Sequence, residues 1–527
     1  MPAEARVRKV ALVGAVAVLC SILVGAVPAA ASDLRPPYPI PQGYGYSQVP
    51  GYQGSAATPQ PVPAPAPPSN PHMAATDSNN IHGDAYASDT HAGGPLGLNL
   101  QVRSSRMESF AGECATHTFD SRGNIVAICG SFKGFYLRVL DPVTLGVRAE
   151  YFLGQRSSTV EAIFTLNLDK IFGDTSGAYF YLDENDRAVV AAPSQEIVVI
   201  DVLDDGAGNV SLQRETGFSM LPYLERDCWS LLHWNPSGKC DVVTALMPSW
   251  DGRVWWVSRY GVVATLDLTT GRVGATQLTD EEIENSFAVD AHGAYIVSDY
   301  AMYGFAAAPD GTPQVEWREP YDRGTYQKPS GQLNWGSGTT PTLLGDDLVA
   351  ITDNADPMRV VFIDRRPTPA GPRTLCAVPV FGLGSGATDN SLIGVGDSVV
   401  VENNYGYRNF FSLILGRSVV GGVAKVDIAP DRSGCSVAWT SSERIPSSVS
   451  KLSRDNGLVY MYAKDPSSRL VDAWYLVALD FWTGETRWRK LIGTGWNYDN
   501  SWASITLSGS TAYVGVLNGI VSVSDET

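Results

Sequence analysis

The stretch YLVALDFWTGETRW, residues 475–488, contains the pattern that decides the fold. An apolar strand ends in an aliphatic residue followed by Asp480, a turn follows at Thr483 and Gly484, and a second strand carries Trp488. Short strands rich in β-branched and aromatic residues, bounded by Asp and Gly turns, are typical of antiparallel hairpins. The stretch therefore predicts the last two strands of a small antiparallel sheet.

Imperfect copies of this pattern recur along the chain beyond residue 98. In chain order they are centred on Asp141, Asp201, Asp267, Asp310, Asp364, Asp427, Asp480 and Asp525. Eight copies over about 430 residues give roughly 54 residues per unit, which is close to the size of one propeller blade. We therefore predict an all-β fold, a β-propeller of four-stranded antiparallel blades, with eight blades as the first choice and seven as the alternative.

The two ends of the repeat region predict how the ring closes. The last unit, 503–525, supplies only three strands, and the segment 98–107 precedes the first complete unit. Pairing of these N- and C-terminal strands in one blade would remove the exposed edges of the ring. Trp317, Trp439 and Trp488 fall in predicted fourth strands, where a large ring can pack between neighbouring sheets.

Two segments of different composition precede the repeats. Residues 1–31 have a basic start, an apolar stretch at 10–27 and an Ala-rich cleavage site, which predicts a signal peptide, with an uncleaved membrane anchor as the alternative. Residues 32–80 are rich in Pro, Tyr and Gly and predict a disordered tether. The propeller domain is then 81–527. We expect it to be secreted or cell-wall associated, with no stable transmembrane segment after signal cleavage.

The charge of the chain excludes several partners. The formal net charge is −17, and only 18% of the residues are charged. An acidic surface disfavours nucleic acid and anionic membranes. The 52 Gly, 33 Pro, 13 Trp and 23 Tyr suit a turn-rich β protein and exclude a coiled coil. The partner expected from composition is a small molecule, a glycan or an envelope protein.

Six cysteines lie beyond the predicted signal peptide. An even number in an exported chain predicts disulfides, although many connectivities are open. The pairs Cys114–Cys129 and Cys228–Cys240 are the simplest choice because each closes one short loop, and Cys376–Cys435 is then left over. Buried free thiols are the alternative. No His/Cys cluster has the spacing of a zinc site.

The motif ALDFWTGETRW (478–488) and the lead-in HGDAYASDTHAGGPLGLNLQV (82–102) resemble the PQQ-like, or quinoprotein alcohol dehydrogenase-like, propeller superfamily. The resemblance covers roughly residues 80–527 and implies the propeller fold. In that superfamily, quinone-dependent members place an adjacent Cys-Cys pair under the cofactor and hold calcium with Glu, Asn and Asp. This chain has no adjacent cysteines. The resemblance therefore implies an exported bacterial member without a quinone site, and we expect no PQQ.

Polar residues stand where the innermost strands begin and the second strands end, the positions that line the axial channel of a propeller. The predicted ligand-binding residues are Glu284, Asn285, Ser337, Thr339, Asp389, Asn390 and Asn500. The predicted metal ligands are Asp353, Asn354, Glu402 and Asn403. Carboxylate and amide oxygens are the ligands that Ca²⁺ prefers, so calcium is the candidate metal. The alternative interpretation is that these side chains cap turns.

Histidines are few. With His82 and His91 of the lead-in set aside, His117 is the first candidate for a catalytic base, and a purely structural histidine is the simpler interpretation.

Three functions follow from these patterns. The first is a secreted binding or scaffold protein of the cell envelope with a polar site at the channel mouth. The alternative is a calcium-dependent hydrolase acting on a lactone, ester or glycan, in which the metal polarises a carbonyl. The third is a purely architectural envelope protein. The sequence leaves open whether the protein is an enzyme, since one fold hosts many functions.

Overall fold

The computed structural model describes residues 49–526 except 107–111, 160, 162–177, 231–232, 234–238, 325–327, 334, 467–469 and 518. The predicted signal peptide and residues 32–48 of the predicted tether lie outside the described residues.

Strands make up nearly all the regular structure of this described part. In chain order they are β1 (Tyr52–Gly54), β2 (Thr90–His91), β3 (Gln101–Arg106), β4 (Glu113–Phe119), β5 (Ile125–Ser131), β6 (Gly134–Leu140), β7 (Val147–Gly154), β8 (Phe180–Leu182), β9 (Ala188–Ala191), β10 (Glu196–Asp204), β11 (Val210–Ser219), β12 (Val243–Pro248), β13 (Val254–Ser258), β14 (Val262–Leu266), β15 (Val273–Gln277), β16 (Ala288–Val289), β17 (Ala294–Val297), β18 (Ala301–Ala307), β19 (Pro313–Pro320), β20 (Thr342–Leu344), β21 (Leu348–Thr352), β22 (Arg359–Asp364), β23 (Thr374–Pro379), β24 (Ile393–Val395), β25 (Ser398–Glu402), β26 (Val423–Ile428), β27 (Cys435–Ser441), β28 (Lys451–Ser453), β29 (Leu458–Lys464), β30 (Ala473–Asp480), β31 (Thr486–Thr494), β32 (Ile505–Ser508), β33 (Thr511–Val516) and β34 (Gly519–Ser524). Single turns of 3₁₀-helix lie at Leu221–Tyr223, Phe410–Leu413 and Trp496–Tyr498.

These strands form eight sheets, which we number as blades 1 to 8. Blades 1 to 6 are the consecutive antiparallel sets β4–β7, β8–β11, β12–β15, β16–β19, β20–β23 and β24–β27. Blade 7 is β28–β31, with β2 added at its inner edge and β1 at its outer edge. Blade 8 is β32–β34 completed by β3. First strands of neighbouring blades lie side by side, as β8 and β12 or β20 and β24 do, so they surround the axis. The prediction of an eight-bladed propeller is confirmed.

Closure of the ring also follows the prediction. Strand β3 pairs antiparallel with β34, so that Gln101 lies opposite Ser524. Next to this pairing, the Asp525 carboxylate accepts hydrogen bonds of 2.7 to 2.9 Å from the three backbone N–H groups of residues 96–98. The segment that precedes blade 1 therefore supplies the outer strand of blade 8 and covers the edge of β34.

Tryptophans of the fourth strands connect neighbouring blades. The Trp317 indole N–H of blade 4 donates to the Arg365 carbonyl of blade 5 at 3.2 Å. In the same way the Trp439 indole N–H of blade 6 donates to the Phe481 carbonyl of blade 7 at 2.8 Å. Both rings are buried. Both rings pack between neighbouring sheets, as predicted, and the indole N–H of each is hydrogen-bonded.

The segment 49–80 differs from the prediction. Tyr52 of β1 pairs with Lys490 at the outer edge of blade 7, and the Val62 N–H donates to the Arg454 carbonyl at 2.8 Å. Farther along, the Trp482 indole N–H donates to the Gln60 carbonyl at 3.2 Å. The prediction of a disordered tether is therefore wrong for these residues. An extended Pro-rich chain needs no core of its own when the edge and turns of blade 7 supply its hydrogen bonds.

The three predicted disulfides are all present. Cys114–Cys129 joins β4 to β5, Cys228–Cys240 closes the loop between blades 2 and 3, and Cys376–Cys435 joins β23 of blade 5 to β27 of blade 6. In the described part of the chain, no helix has the length and apolar character needed to span a membrane.

Candidate ligand-binding cavity

An N-terminal segment fills the axis of the propeller. Residues 74–92, which we call the plug, run along the first strands of successive blades, and most of them are buried. Plug carbonyls accept backbone hydrogen bonds of 2.9 to 3.1 Å from Phe119 of blade 1, Leu182 of blade 2, Val289 of blade 4, Leu343 of blade 5, Gly394 of blade 6 and Leu452 of blade 7. The plug therefore fills the channel, and its hydrogen bonds connect the inner strands of six blades.

A cavity of about 340 Å³ lies against the plug, at the end of the channel where the first strands begin. Residues from seven of the eight blades border it, together with Ile81 and His82 of the plug. The volume falls at the small end of the range for ligand pockets. This position at the hub was predicted, because the loops that precede innermost strands meet there.

Aromatic side chains form much of the cavity wall. Phe135 of blade 1, Tyr179 before blade 2 and Trp502 before blade 8 all border the space. The Arg156 guanidinium lies 3.9 Å from the centroid of the Phe135 ring, on the face of that ring. Among the described residues, the buried Trp502 indole N–H has no hydrogen-bond partner. The wall thus combines broad apolar faces with a donor that a ligand can satisfy.

Two carboxyl groups border the same space. Asp389 is 6% exposed, its Oδ2 accepts from the Leu333 N–H at 3.2 Å, and burial raises its pKa to about 7. Burial, with a smaller contribution from the charge of Asp499, raises the pKa of Glu113 well above its usual value. In the described part of the chain, Asp389 Oδ1 and Glu113 Oε1 have no hydrogen-bond partner. Burial therefore favours the protonated form of both groups, and about half of Asp389 is protonated near pH 7; a protonated carboxyl can both donate and accept a hydrogen bond.

Carboxamides complete the polar lining. The Asn390 side-chain amide donates to Glu402 Oε1 at 2.9 Å and to the Ser448 carbonyl at 3.0 Å. Asn285 donates to the Gly338 carbonyl at 2.5 Å and accepts from the Tyr179 hydroxyl at 3.3 Å. These contacts fix both amides at the cavity wall. Their orientation is therefore set before a ligand enters.

The structure separates the predicted ligand-binding residues into three groups. Asn285, Asp389 and Asn390 border the cavity, and Glu284 and Ser337 border a smaller recess that also touches Asn285. The remaining two, Thr339 and Asn500, hydrogen-bond to backbone groups. Thr339 Oγ1 accepts from the Thr352 N–H at 3.3 Å, and the Asn500 amide donates to the Gly515 carbonyl at 2.9 Å.

The predicted metal ligands lie mostly at turns. Asp353 Oδ2 accepts from the Arg359 guanidinium at 2.6 Å, and Asn403 Oδ1 accepts from the Ala387 N–H at 3.1 Å. Asn354 exchanges hydrogen bonds with the Gln332 side chain. Across the described residues, no group of three or more His, Cys, Asp and Glu side chains is arranged to hold a metal ion.

Glu402 is the exception among these four residues. It is buried behind Asn390, burial raises its pKa to about 8, and its Oε2 has no partner among the described residues. Calcium binding stays a prediction, and Glu402 is the residue with an available oxygen.

Sequence reasoning missed the plug residues at the cavity. His117, the candidate base, hydrogen-bonds the Tyr513 carbonyl and the Ser504 hydroxyl at 3.3 Å each, and it does not border the cavity. His82 does border it, although it stands in the lead-in that was set aside. The run of His, Asp and Ser in 82–91 was the available signal, because such polar density is unusual next to a predicted core.

No protein-family model and no curated protein sequence matches the chain. Solved structures do match. Quinohemoprotein alcohol dehydrogenase from Comamonas testosteroni is 12% identical, with a TM-score of 0.55 over 86% of this chain and 81% of that chain. BamB from Moraxella catarrhalis is 14% identical, with a TM-score of 0.46 over 81% of this chain and 98% of that chain. A functionally unknown protein from Desulfotomaculum acetoxidans is 12% identical, with a TM-score of 0.39 over 68% of this chain and 91% of that chain.

This chain shares the fold of the dehydrogenase. The resemblance to PQQ-like propellers is confirmed at that level by the eight blades and by the dehydrogenase match. The residues present do not fit a quinone site of that superfamily. All six described cysteines form disulfides, each joining cysteines at least 12 positions apart, so none of them is bonded to its neighbour in sequence.

Proposed function

We propose that this protein is an exported binding protein of the cell envelope, and that its axial cavity holds a neutral, hydroxyl-rich ligand such as a sugar unit of a glycan. One observation carries the proposal: three residues that border an aromatic-walled cavity on the propeller axis have buried polar atoms that lack partners within the described residues. They are Asp389 Oδ1, Glu113 Oε1 and Trp502 Nε1.

The chemistry of these groups selects the ligand class. A buried polar atom without a partner costs roughly 1–3 kcal/mol, so a ligand that supplies the partner gains that amount on binding. Protonated carboxyls and an indole N–H together offer both donors and acceptors, which suits hydroxyl groups. Burial favours the neutral form of both carboxyls, which weakens any attraction to a cation, and Arg156 is the one Lys or Arg among the residues that border the described cavity.

The disulfides support the cellular location. Three disulfides form and persist in oxidising compartments, outside the cytosol. With the predicted signal peptide they favour export, and the acidic surface favours a soluble partner over an anionic polymer.

Titration calorimetry with neutral mono- and disaccharides tests the proposal. We expect Trp502→Ala and Asp389→Ala each to weaken binding by about tenfold, since each removes a contact worth roughly 1.4 kcal/mol. Matched controls are Trp482→Ala and Asp431→Ala, which alter outer turns away from the cavity. Absence of binding to every neutral sugar, or equal losses in the controls, contradicts the proposal.

A further inference from the structure

A histidine and a carboxylate form a pair in the wall that the plug contributes to the cavity. The His82 Nδ1 lies 3.3 Å from Asp89 Oδ1 and 3.0 Å from the Ser391 hydroxyl. His82 is 2% exposed and borders the cavity, where its ring stacks on Tyr179 with centroids 6.2 Å apart. Its Nε2 has no hydrogen-bond partner among the described residues.

The state of Asp89 fixes the tautomer of this histidine. Burial by itself raises the pKa of Asp89, but the Lys451 ammonium and the hydrogen bond from His82 hold it below its usual value. The Ser391 hydroxyl donates to the other oxygen of the same carboxylate. In the neutral imidazole, an ionised carboxylate beside Nδ1 favours the tautomer with the proton on Nδ1, which leaves a lone pair on Nε2. A histidine held in this way is suited to accept a proton from water.

We propose that His82 is a general base and that the cavity hydrolyses an acyl ester of a neutral sugar. This inference rests on the proposed function of the same cavity and adds a reaction to it. Asp89 and Ser391 are positioning residues, because they act through the imidazole and touch no reacting atom.

The reaction needs only ester and water. His82 Nε2 takes a proton from a water molecule while the water oxygen bonds to the ester carbonyl carbon. The bond from that carbon to the sugar oxygen then breaks, and the imidazolium returns the proton to the leaving alkoxide. The products are a carboxylic acid and the free sugar hydroxyl, and the base is restored.

Neighbouring groups suit the negative charge that develops on the carbonyl oxygen. Asp389 lies two residues before Ser391 and borders the same cavity as His82 and Tyr179, the ring that stacks on His82. As a protonated carboxyl it can donate a hydrogen bond to the carbonyl oxygen, as oxyanion-stabilising donors do. A neutral, apolar-walled cavity also favours an uncharged ester over a charged one.

The test uses purified full-length protein with two probes, para-nitrophenyl acetate and a methyl glucoside that carries one acetyl ester. We expect His82→Gln to lower kcat/KM by about 100-fold, the scale of a lost general base, with Tm preserved. Added imidazole should restore part of the activity of His82→Ala, which a merely structural role would not allow. Ser391→Ala, which removes only a positioning contact, should lose about tenfold.

The matched control is His292→Gln. His292 Nε2 lies 2.7 Å from Glu316 Oε2 in a half-exposed pair on an outer turn. This variant therefore tests whether a histidine beside a carboxylate hydrolyses the ester wherever it lies on the protein. We expect the control to keep wild-type activity.

The outcomes separate the two proposals. Binding of methyl glucoside without hydrolysis of either ester overturns the general base and leaves the binding function standing. Hydrolysis that His82→Gln does not change also overturns the general base. Failure to bind methyl glucoside together with His82-dependent hydrolysis supports the base and contradicts the sugar-binding function. If His82→Gln does not fold, Ser391→Ala decides, and unchanged activity in it overturns the role of the Asp89–His82–Ser391 contacts.

Discussion

The Lys451 ammonium and the Asp89 carboxylate form an ion pair in which neither side chain has any exposed surface. Lys451 lies on β28 of blade 7, and Asp89 belongs to the plug. The ammonium also donates to the Ile81 carbonyl at 2.8 Å, so the Lys451 side chain of blade 7 binds two residues of the plug, Ile81 and Asp89. Since a buried charge without its partner is costly, this pair specifies where the plug lies in the channel.

Removal of one partner should therefore destabilise the protein strongly. We expect Lys451→Met to lower the free energy of unfolding by about 3–5 kcal/mol, because Asp89 would remain charged and buried. Urea unfolding followed by tryptophan fluorescence measures the change. Lys425→Met is the control, since the partner of Lys425 is the 40% exposed Asp427, and it should cost less than about 1 kcal/mol. Equal losses in the two variants would contradict the assignment.

The disulfide between blades 5 and 6 should stabilise the fold more than the one inside blade 1. Cys376–Cys435 closes 59 residues of sequence and Cys114–Cys129 closes 15. In the chain-entropy model the longer loop is worth about 1 kcal/mol more, on a base of roughly 3 kcal/mol. We expect the Tm of Cys376→Ser/Cys435→Ser to fall below that of Cys114→Ser/Cys129→Ser. The opposite order would show that strand packing in blade 1 depends on its own disulfide.

The fold could be read from the sequence because each blade repeats one local pattern. The turn at Asp480, Thr483 and Gly484 forms as predicted, with the Asp480 carboxylate accepting from the Thr483 N–H at 2.9 Å. Contacts between residues so close in sequence can be predicted from the local pattern alone. The same holds for the short disulfide loops, and the third pair then followed by elimination.

The plug could not be read in this way. Its order depends on hydrogen bonds to strands that lie far away in sequence, such as the one from Leu452 to the Asp89 carbonyl. No alternation of apolar and polar residues marks residues 74–92, because the surrounding blades cover them on all sides. Asn285, Asp389 and Asn390 were found because they precede first strands, whereas His82 was missed because it lies in the plug.

Chelation of calcium should leave the thermal stability unchanged. Both oxygens of Asp353 already accept hydrogen bonds, Oδ1 from the Ala355 and Arg359 N–H groups and Oδ2 from the Arg359 guanidinium. A cation at this carboxylate would have to displace the guanidinium. We therefore expect equal Tm values in EDTA and in EDTA presaturated with calcium. A lower Tm in free EDTA that Glu402→Gln abolishes would instead show that calcium binds at Glu402.

Buried acids should make the protein less stable as the pH rises from 6.5 to 8. Burial raises the pKa values of Asp389 and Asp499 to about 7 and that of Glu402 to about 8. Each group binds its proton more tightly in the folded state, so its contribution is complete below the unfolded pKa and is lost as the pH rises through the folded pKa.

Two histidines set the lower limit of this pH window. Burial lowers the pKa values of His91 and His117 to about 4, so their contribution is complete above pH 6.5 and is lost at lower pH. Between pH 6.5 and 8 both are neutral in the folded state, so neither opposes the trend expected from the buried acids.

Glu402→Gln should flatten this pH dependence. A neutral amide removes the titration and keeps an oxygen that can accept the hydrogen bond from the Asn390 amide, so stability at pH 8 should rise relative to wild type. One such group changes the free energy of unfolding by at most about 1.4 kcal/mol per pH unit. Urea midpoints at pH 6.5, 7.2 and 8.0 measure the slope, and Glu485→Gln, whose side chain is 72% exposed, is the control. A slope that Glu402→Gln leaves unchanged would mean that Glu402 is already ionised in the folded protein at neutral pH.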